Sequence, residues 1–414
     1  MRILIEHGTA VTMCDEMPVI DNAYILVEGN RISYVGTERP LGEFDEVMDA
    51  SGMVAMPGLV NAHTHTAMTL LRSYADDMNL QDWLFQKIFP FEDTLTPQMV
   101  YEGSVRGIQE MLASGTTCFH DMYFFQEETA RAAEELGMRG VLCEGITDGV
   151  LKKKLEKTEN LLAQLKNSSG RLKVGISPHA VYTCSEETLK TAAEYAKKHG
   201  LQIHTHLSET KIENEDCLRD HGMSPAAWME QCGLFDVPCT AAHCVWLSQE
   251  DMEILKRHNV TVVHNPVSNL KLASGVAEVP KLTQTGIHVA LGTDGASSNN
   301  NLDLFEEIKL TGILHKGVAL DPTVLPAWEV LKMATVNGAK ALGYKDLGML
   351  KEGYLADLIL LDFNKPQFIP NHNTVSNLVY AVRGSDVVYT MVDGKFVYQK
   401  GEFSYGTSCN CYGK

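Results

Sequence analysis

Hydrophobic and polar positions follow two different periods along the chain, and the architecture is expected to change where the period changes. Near the start, "RILIEHGTAVT" and "AYILVEGNRISYVG" alternate apolar and polar residues, with Gly29-Asn30 between two such runs. That combination signals a β-hairpin. The end of the chain reads the same way: "ADLILLDF" and "VVYTMVDGKFVYQKGEF", the latter turning at Asp393-Gly394, are strands able to pair with those of the start. The two ends, residues 1–56 and 350–414, therefore predict one small β-sandwich, with residues 57–349 inserted as a second domain.

Within the insert, short apolar runs alternate with longer segments of helical period, the pattern of repeated β-α units around a parallel sheet. Eight runs can be counted: "LVNAHTH", "TTCFHDMY", "RGVLCEGI", "LKVGISPHA", "LQIHTHLSE", "CTAAHCVW", "VTVVHNPVS" and "HVALGTDG". Between them lie "ETARAAEELG", "SEETLKTAAEYAKKHG" and "SQEDMEILKRHN", where a Gly or Asn stops each helix before the next strand. The fold class is α/β, a (β/α)8 TIM barrel, in which catalytic groups sit at the carboxyl ends of the strands. The lysine-rich "LKKKLEKTENLLAQLK" reads as a solvated helix face.

Composition narrows the function. The 35 basic and 53 acidic residues give a net charge of −18, which disfavours nucleic acid and anionic membranes and suits a small neutral substrate. "MRILIEHGTA" lacks a basic region followed by a long apolar stretch, and no run approaches the ~20 apolar residues of a membrane span. A soluble cytoplasmic protein is expected, with a homo-oligomer as an open alternative. The ten cysteines stand singly apart from Cys409 and Cys411 in the tail, so reduced thiols are the expectation.

The barrel reading makes the histidines informative. Of 15, eight fall in or at the ends of the eight runs: His63, His65, His120, His179, His204, His206, His243 and His264. In a strand His63 and His65 point the same way, because side chains alternate faces with a period of two. Asp294, in "GTDG", joins them from the eighth run. Any one histidine reads most simply as a hydrogen-bonded core or loop residue. As a group converging on one barrel mouth they indicate a site.

"PGLVNAHTH", "HLSE", "AAHCV", "GTDGASSNN" and "EGYLADLILLD" together resemble the amidohydrolase superfamily over essentially the whole chain. Within it, "LQDWLFQKIFPFED" and "SPHAVYTCSEE" resemble the methylthioadenosine/S-adenosylhomocysteine deaminases. That resemblance implies hydrolytic deamination of 5′-modified adenosines to inosine products and ammonia; guanine deaminases and chlorohydrolases share much of the pattern and form the alternative. A catalytically silent barrel acting as an interaction protein would be expected to lose ligands.

The resemblance further implies metal ligands at His63, His65, His206 and Asp294. Three imidazoles and a carboxylate suit one divalent metal per subunit, Zn²⁺ first and iron second. The strand 4 end, "ISPHA", has no lysine of the kind that bridges two metals in binuclear members. By the same resemblance His243 and Asp294 handle the proton of the attacking water, and Glu209 protonates a ring nitrogen. Glu209 read alone would be a helix-capping or first-turn acid. Trp83, Glu92, His179 and Ser298 are implied substrate contacts, while His204 reads as an interior hydrogen-bonded histidine and His120 and His264 as groups that either support the site residues from behind or are structural. The 5′ group is expected to be uncharged. Glu144 stands about where a basic residue would hold a substrate carboxylate, and two like charges ~6 Å apart at an effective dielectric near 20 repel by roughly 3 kcal/mol. Lys152, Lys153 and Lys154, on flexible stems, are expected to be solvated.

Overall fold

The computed structural model describes residues 1–404; Cys409 and Cys411 lie outside the described residues. Strands β1 (Arg2–Val11), β2 (Val19–Glu28), β3 (Arg31–Gly36), β4 (Glu46–Asp49) and β5 (Met53–Pro57) come from the start of the chain. Strands β6 (Leu59–Thr64), β7 (Thr116–Tyr123), β8 (Arg139–Ile146), β9 (Leu172–Pro178), β10 (Ile203–Leu207), β11 (Cys239–His243), β12 (Thr261–His264) and β13 (Val289–Leu291) follow. The chain finishes with β14 (Leu358–Asp362), β15 (Val387–Val392), β16 (Lys395–Gln399) and β17 (Glu402–Phe403).

Strands β6 to β13 stand side by side in chain order as one parallel eight-stranded sheet, each matching one of the eight apolar runs. The ring closes where the chain leaving β13 meets β6: Asp294 N–H donates to the His63 carbonyl at 3.0 Å. Thr293 N–H donates to Asn61 Oδ1 at 3.1 Å on the same seam. The helices end as their sequences require. Glu186–His199 starts on Ser185, whose hydroxyl accepts from Thr188 N–H, and stops at Gly200 with φ 65°. Gln249–Arg257 carries a reciprocal capping box between Ser248 and Asp251.

The two ends of the chain meet in a nine-stranded mixed sheet, ordered β17-β16-β15-β14-β5-β1-β2-β3, with β4 beside β1. The junction is the antiparallel β5–β14 pair, in which Met56 faces Ile359 and Val54 faces Leu361. "LILL" is apolar throughout because both faces of β14 are covered. Ile359 and Leu361 join the large core shared with the barrel. Leu358 and Leu360 join Ile3, Ile5 and Met391 in a second core on the other side of the sheet.

Between β6 and β7 the chain makes an excursion through short helical turns, Leu80–Trp83, Leu84–Ile88 and Phe89–Glu92. Their apolar residues pack with Met68, Leu71, Tyr123 and Leu272. Among the described residues no helix is long and apolar enough to cross a membrane. The eight described cysteines are all buried free thiols.

Candidate active site

The carboxyl ends of β6, β10, β11 and β13 deliver the polar side chains that sequence reading singled out. His63 and His65 leave β6 two residues apart, His206 comes from β10, His243 ends β11, and Asp294 lies three residues beyond β13. Several strand ends turn through left-handed backbone that L-residues adopt at a cost, Ser208 (φ 49°), His243 (φ 73°) and Asp294 (φ 61°) among them. Such conformations persist only where the surroundings over-determine them, and they cluster at functional sites.

His63 Nε2 and His65 Nε2 lie 3.4 and 3.3 Å from the same oxygen, Asp294 Oδ1. Ligand atoms of His63, His65 and His206 form one close group, and those of His63, His243 and Asp294 a second that overlaps it. Two atoms each ~2.1 Å from a tetrahedral zinc-type centre stand about 3.4 Å apart, so the spacing fits a single cation. Charge and hydrogen bonding point the same way. Burial pushes His63 down to about 4 and His206 well below its ordinary value, which keeps their nitrogen lone pairs free. Burial alone would raise Asp294, but His63, His65 and His243 outweigh it and hold the carboxylate ionised. His63 Nε2 is buried without any hydrogen-bond partner. With only the Asp294 carboxylate facing it at 3.4 Å, that nitrogen could hold a cation together with the other members of the group.

Glu209, buried, stands at the edge of this cluster. Ser274 Oγ donates to its Oε1 at 3.1 Å, and its Oε2 lies 3.7 Å from His243 Nε2. Burial raises Glu209 against the opposing pull of His243, while Glu209 and Asp294 together raise His243 although burial would lower it. The pair thus holds a proton more firmly than either group does in water. His243 is oriented by Asn269, whose Oδ1 accepts from Nδ1 at 2.8 Å. The helix-cap reading of Glu209 does not hold. Thr210 caps the following helix, Lys211–His221, and the acid in its first turn is Glu213.

A cleft opens over this cluster; it is lined by His65, Glu92, His179, Glu209 and His243 and by the apolar faces of Leu80, Trp83, Leu84, Phe89 and Phe124. Of the implied substrate contacts, Trp83, Glu92 and His179 line it. Trp83 keeps its indole N–H without a partner. Ser298 does not line the cleft: it is buried behind Asp294, its hydroxyl 2.9 Å from Asp294 Oδ2 and 3.0 Å from Ser268 Oγ. The "GTDGASSNN" turn folds back on its own aspartate, so Ser298 buttresses that carboxylate and does not face the opening.

Two expectations about charge need correcting. Lys154 is not solvated: it is 7% exposed, and its ammonium donates to Glu144 Oε2 at 2.6 Å. Glu144 also accepts from Gln126 N–H at 3.0 Å, so it is a compensated interior acid and offers a substrate no free negative charge. Burial forces this pairing, since an unpaired carboxylate at that depth is too costly. Lys154 sits over the ring of Phe124, a cleft-lining residue, 4.4 Å from its centroid. His120 and His204 pack in the barrel interior with centroids 4.0 Å apart and planes inclined by 30°, and His264 Nε2 lies 3.2 Å from His315 Nε2.

Sequence reading missed Ser268, Asn269, Ser274 and Glu213. The first three carry no recognisable spacing. Glu213 did leave a signal: Thr210 followed by Glu213 has the form of a capping box. Here the carboxylate reaches further back, accepting from Ser208 N–H at 2.9 Å and Glu209 N–H at 2.8 Å.

Comparison with known proteins agrees with this geometry. A model of the amidohydrolase family matches residues 54–397. A 5-methylthioadenosine/S-adenosylhomocysteine deaminase of Thermoanaerobacter pseudethanolicus is 47% identical over 97% of this chain and 95% of its own. One of Dictyoglomus turgidum is 47% identical over 97% of this chain and 94% of its own. Among solved structures, an adenosine deaminase from Xanthomonas campestris with bound zinc superposes with a TM-score of 0.94 at 33% identity, covering 98% of this chain and 95% of that one.

Proposed function

The chain belongs to the amidohydrolase family, and from that premise we propose that it hydrolyses the 6-amino group of 5′-modified adenosines, releasing ammonia and the inosine product. Near-full-length identity of 47% to named 5-methylthioadenosine/S-adenosylhomocysteine deaminases is the observation that carries this reading. His63, His65, His206 and Asp294 would hold one metal, and their three imidazoles and one carboxylate suit zinc. When bound, the metal supplies Lewis acidity that brings the pKa of a water from about 15.7 towards ~7.

The remaining chemistry belongs to the side chains. The cleft binds the purine with Trp83 and His179 as donors and Glu92 as acceptor for the ribose hydroxyls. As water oxygen bonds to C6, the buried Glu209 carboxyl delivers its proton to the adjacent ring nitrogen, so that the ring can accept the electron pair. His243 and Asp294 take up one proton of the water and pass it to the departing amine; the C6–N bond breaks, ammonia leaves, and the C6 carbonyl forms as the remaining hydroxyl proton returns to the Glu209 carboxylate. Burial raises the Glu209 carboxyl above its ordinary value, the direction that favours a proton donor.

The expected 5′ group is uncharged. Among the described residues no lysine or arginine lines the cleft, and Lys154, beside the lining Phe124, is engaged by Glu144. Ammonia release from methylthioadenosine, 5′-deoxyadenosine, adenosine, S-adenosylhomocysteine and guanine tests the reading. The first two should give the highest kcat/KM; turnover of guanine alone, or of none, overturns it. In the same assay Glu209→Gln should lose on the order of 10²- to 10⁴-fold in kcat while retaining metal.

A further inference from the structure

The three histidines of the ligand set are not held in the same way. His65 Nδ1–H donates to the Met122 carbonyl, and His206 Nδ1–H donates to the His179 carbonyl at 3.2 Å. A carbonyl can only accept, so each of these rings is fixed with its Nε2 lone pair towards the cluster. His63 has no carbonyl behind it. Its Nδ1 lies 2.7 Å from Nε2 of another imidazole, His204, and either nitrogen of such a contact can be the donor. If His204 donated, His63 would carry its hydrogen on Nε2, pointing at Asp294, where it would block a metal.

The ambiguity is resolved one residue further away. His204 Nδ1 lies 2.6 Å from the Thr240 hydroxyl, opposite it in the β10–β11 register. The same hydroxyl lies 3.4 Å from the Ile203 carbonyl and donates to it. With its hydrogen committed there, Thr240 Oγ1 offers His204 a lone pair; Nδ1 of His204 carries the hydrogen and Nε2 accepts. His63 must then donate from Nδ1, which leaves Nε2 bare. We infer that Thr240 and His204 are positioning residues that set the tautomer of His63, so that a threonine on β11 with no ligand atom in the metal cluster controls metal affinity. His120 packs beside His204 with ring centroids 4.0 Å apart and planes inclined by 30°.

This rests on the ligand set proposed above, and metal affinity measured by chelator competition separates the two. If the wild-type chain holds no stoichiometric zinc, the ligand set falls. If it does, Thr240→Val, which keeps the shape and removes the acceptor, should weaken zinc by about tenfold, within the 10- to 100-fold range of outer partners of metal ligands. Thr240→Ser, which restores the hydroxyl, should bind as wild type. A second pair guards against misfolding: His204→Leu should weaken zinc, whereas His204→Gln, whose side-chain carbonyl can accept from His63 Nδ1–H, should recover most of it. Thermal melts of the metal-free proteins identify any variant that fails to fold. Wild-type affinity in both Thr240→Val and His204→Leu, or equal loss in Thr240→Val and Thr240→Ser, would overturn the relay.

Discussion

Glu92 and Glu209 are both acids of one cleft, yet the proposed chemistry asks one to accept hydrogen bonds and the other to give up a proton. Burial holds the Glu92 carboxyl up to about 7, although part of its surface stays open to the cleft. Below that pH it is protonated and has lost acceptor capacity for a ribose diol. KM for an adenosine substrate should therefore rise as pH falls through about 7, and Glu92→Gln should flatten the profile; a wild-type KM unchanged between pH 6 and 8.5 would remove Glu92 from the diol. Linkage gives a second sign. The folded group keeps its proton up to about 7 while the unfolded one releases it near 4.5, so its contribution to stability declines as pH rises through that window. At this scale the sequence was legible for the strand-end placement of His63 and His65, which follows from period-two alternation, while His206 and Asp294 were singled out through the family resemblance. It was not legible for Ser298 or Lys154, because which way a turn hydroxyl or a helix lysine points depends on partners from distant segments.

At the scale of elements, the short turn over 207–210 matters most, since it joins the strand that carries His206 to a helix and itself carries Glu209. Its geometry is pinned by the Glu213 carboxylate, which gathers two successive N–H groups from below. An amide in place of that carboxylate sets its NH₂ against one of those donors and leaves a buried N–H unpaired, costing about 1–3 kcal/mol. Glu213→Gln is accordingly expected to lower the urea midpoint and, by loosening Glu209, to reduce kcat more than it changes KM. Equal stability and kcat would show that the turn holds itself. Strands and helices of this region were readable from period and caps, as Ser185, Gly200 and Ser248 illustrate. The helical turns over 80–92 were not, since four- and five-residue pieces are too short for a period to develop.

For the whole molecule, the joint between sheet and barrel is the critical contact. Arg139, at the start of β8 and 3% exposed, donates to Asp357 at 2.7 and 3.1 Å and to Asp393 at 2.9 Å. Removing the guanidinium strands a buried carboxylate, so Arg139→Leu should destabilise by about 3–5 kcal/mol, read as a lower urea midpoint, and adding Asp357→Leu should recover part of the loss. An unchanged midpoint in Arg139→Leu would mean that solvent reaches Asp357. The eight barrel strands and the pairing of the two ends could be read from alternation, but this joint could not, because Arg139, Asp357 and Asp393 show no common spacing along the chain. The β5–β14 pairing also sets an order of events during synthesis. Met53–Pro57 emerges early, and its antiparallel partner Leu358–Asp362 follows only after the whole barrel has been made. At the ~5–20 residues per second typical of translation, that edge, with Val54, Ala55 and Met56 apolar, stays open for tens of seconds. A ribosome stalled late in the message would leave a finished barrel displaying the open apolar edge of β5, paired only with β1, as a template for self-association.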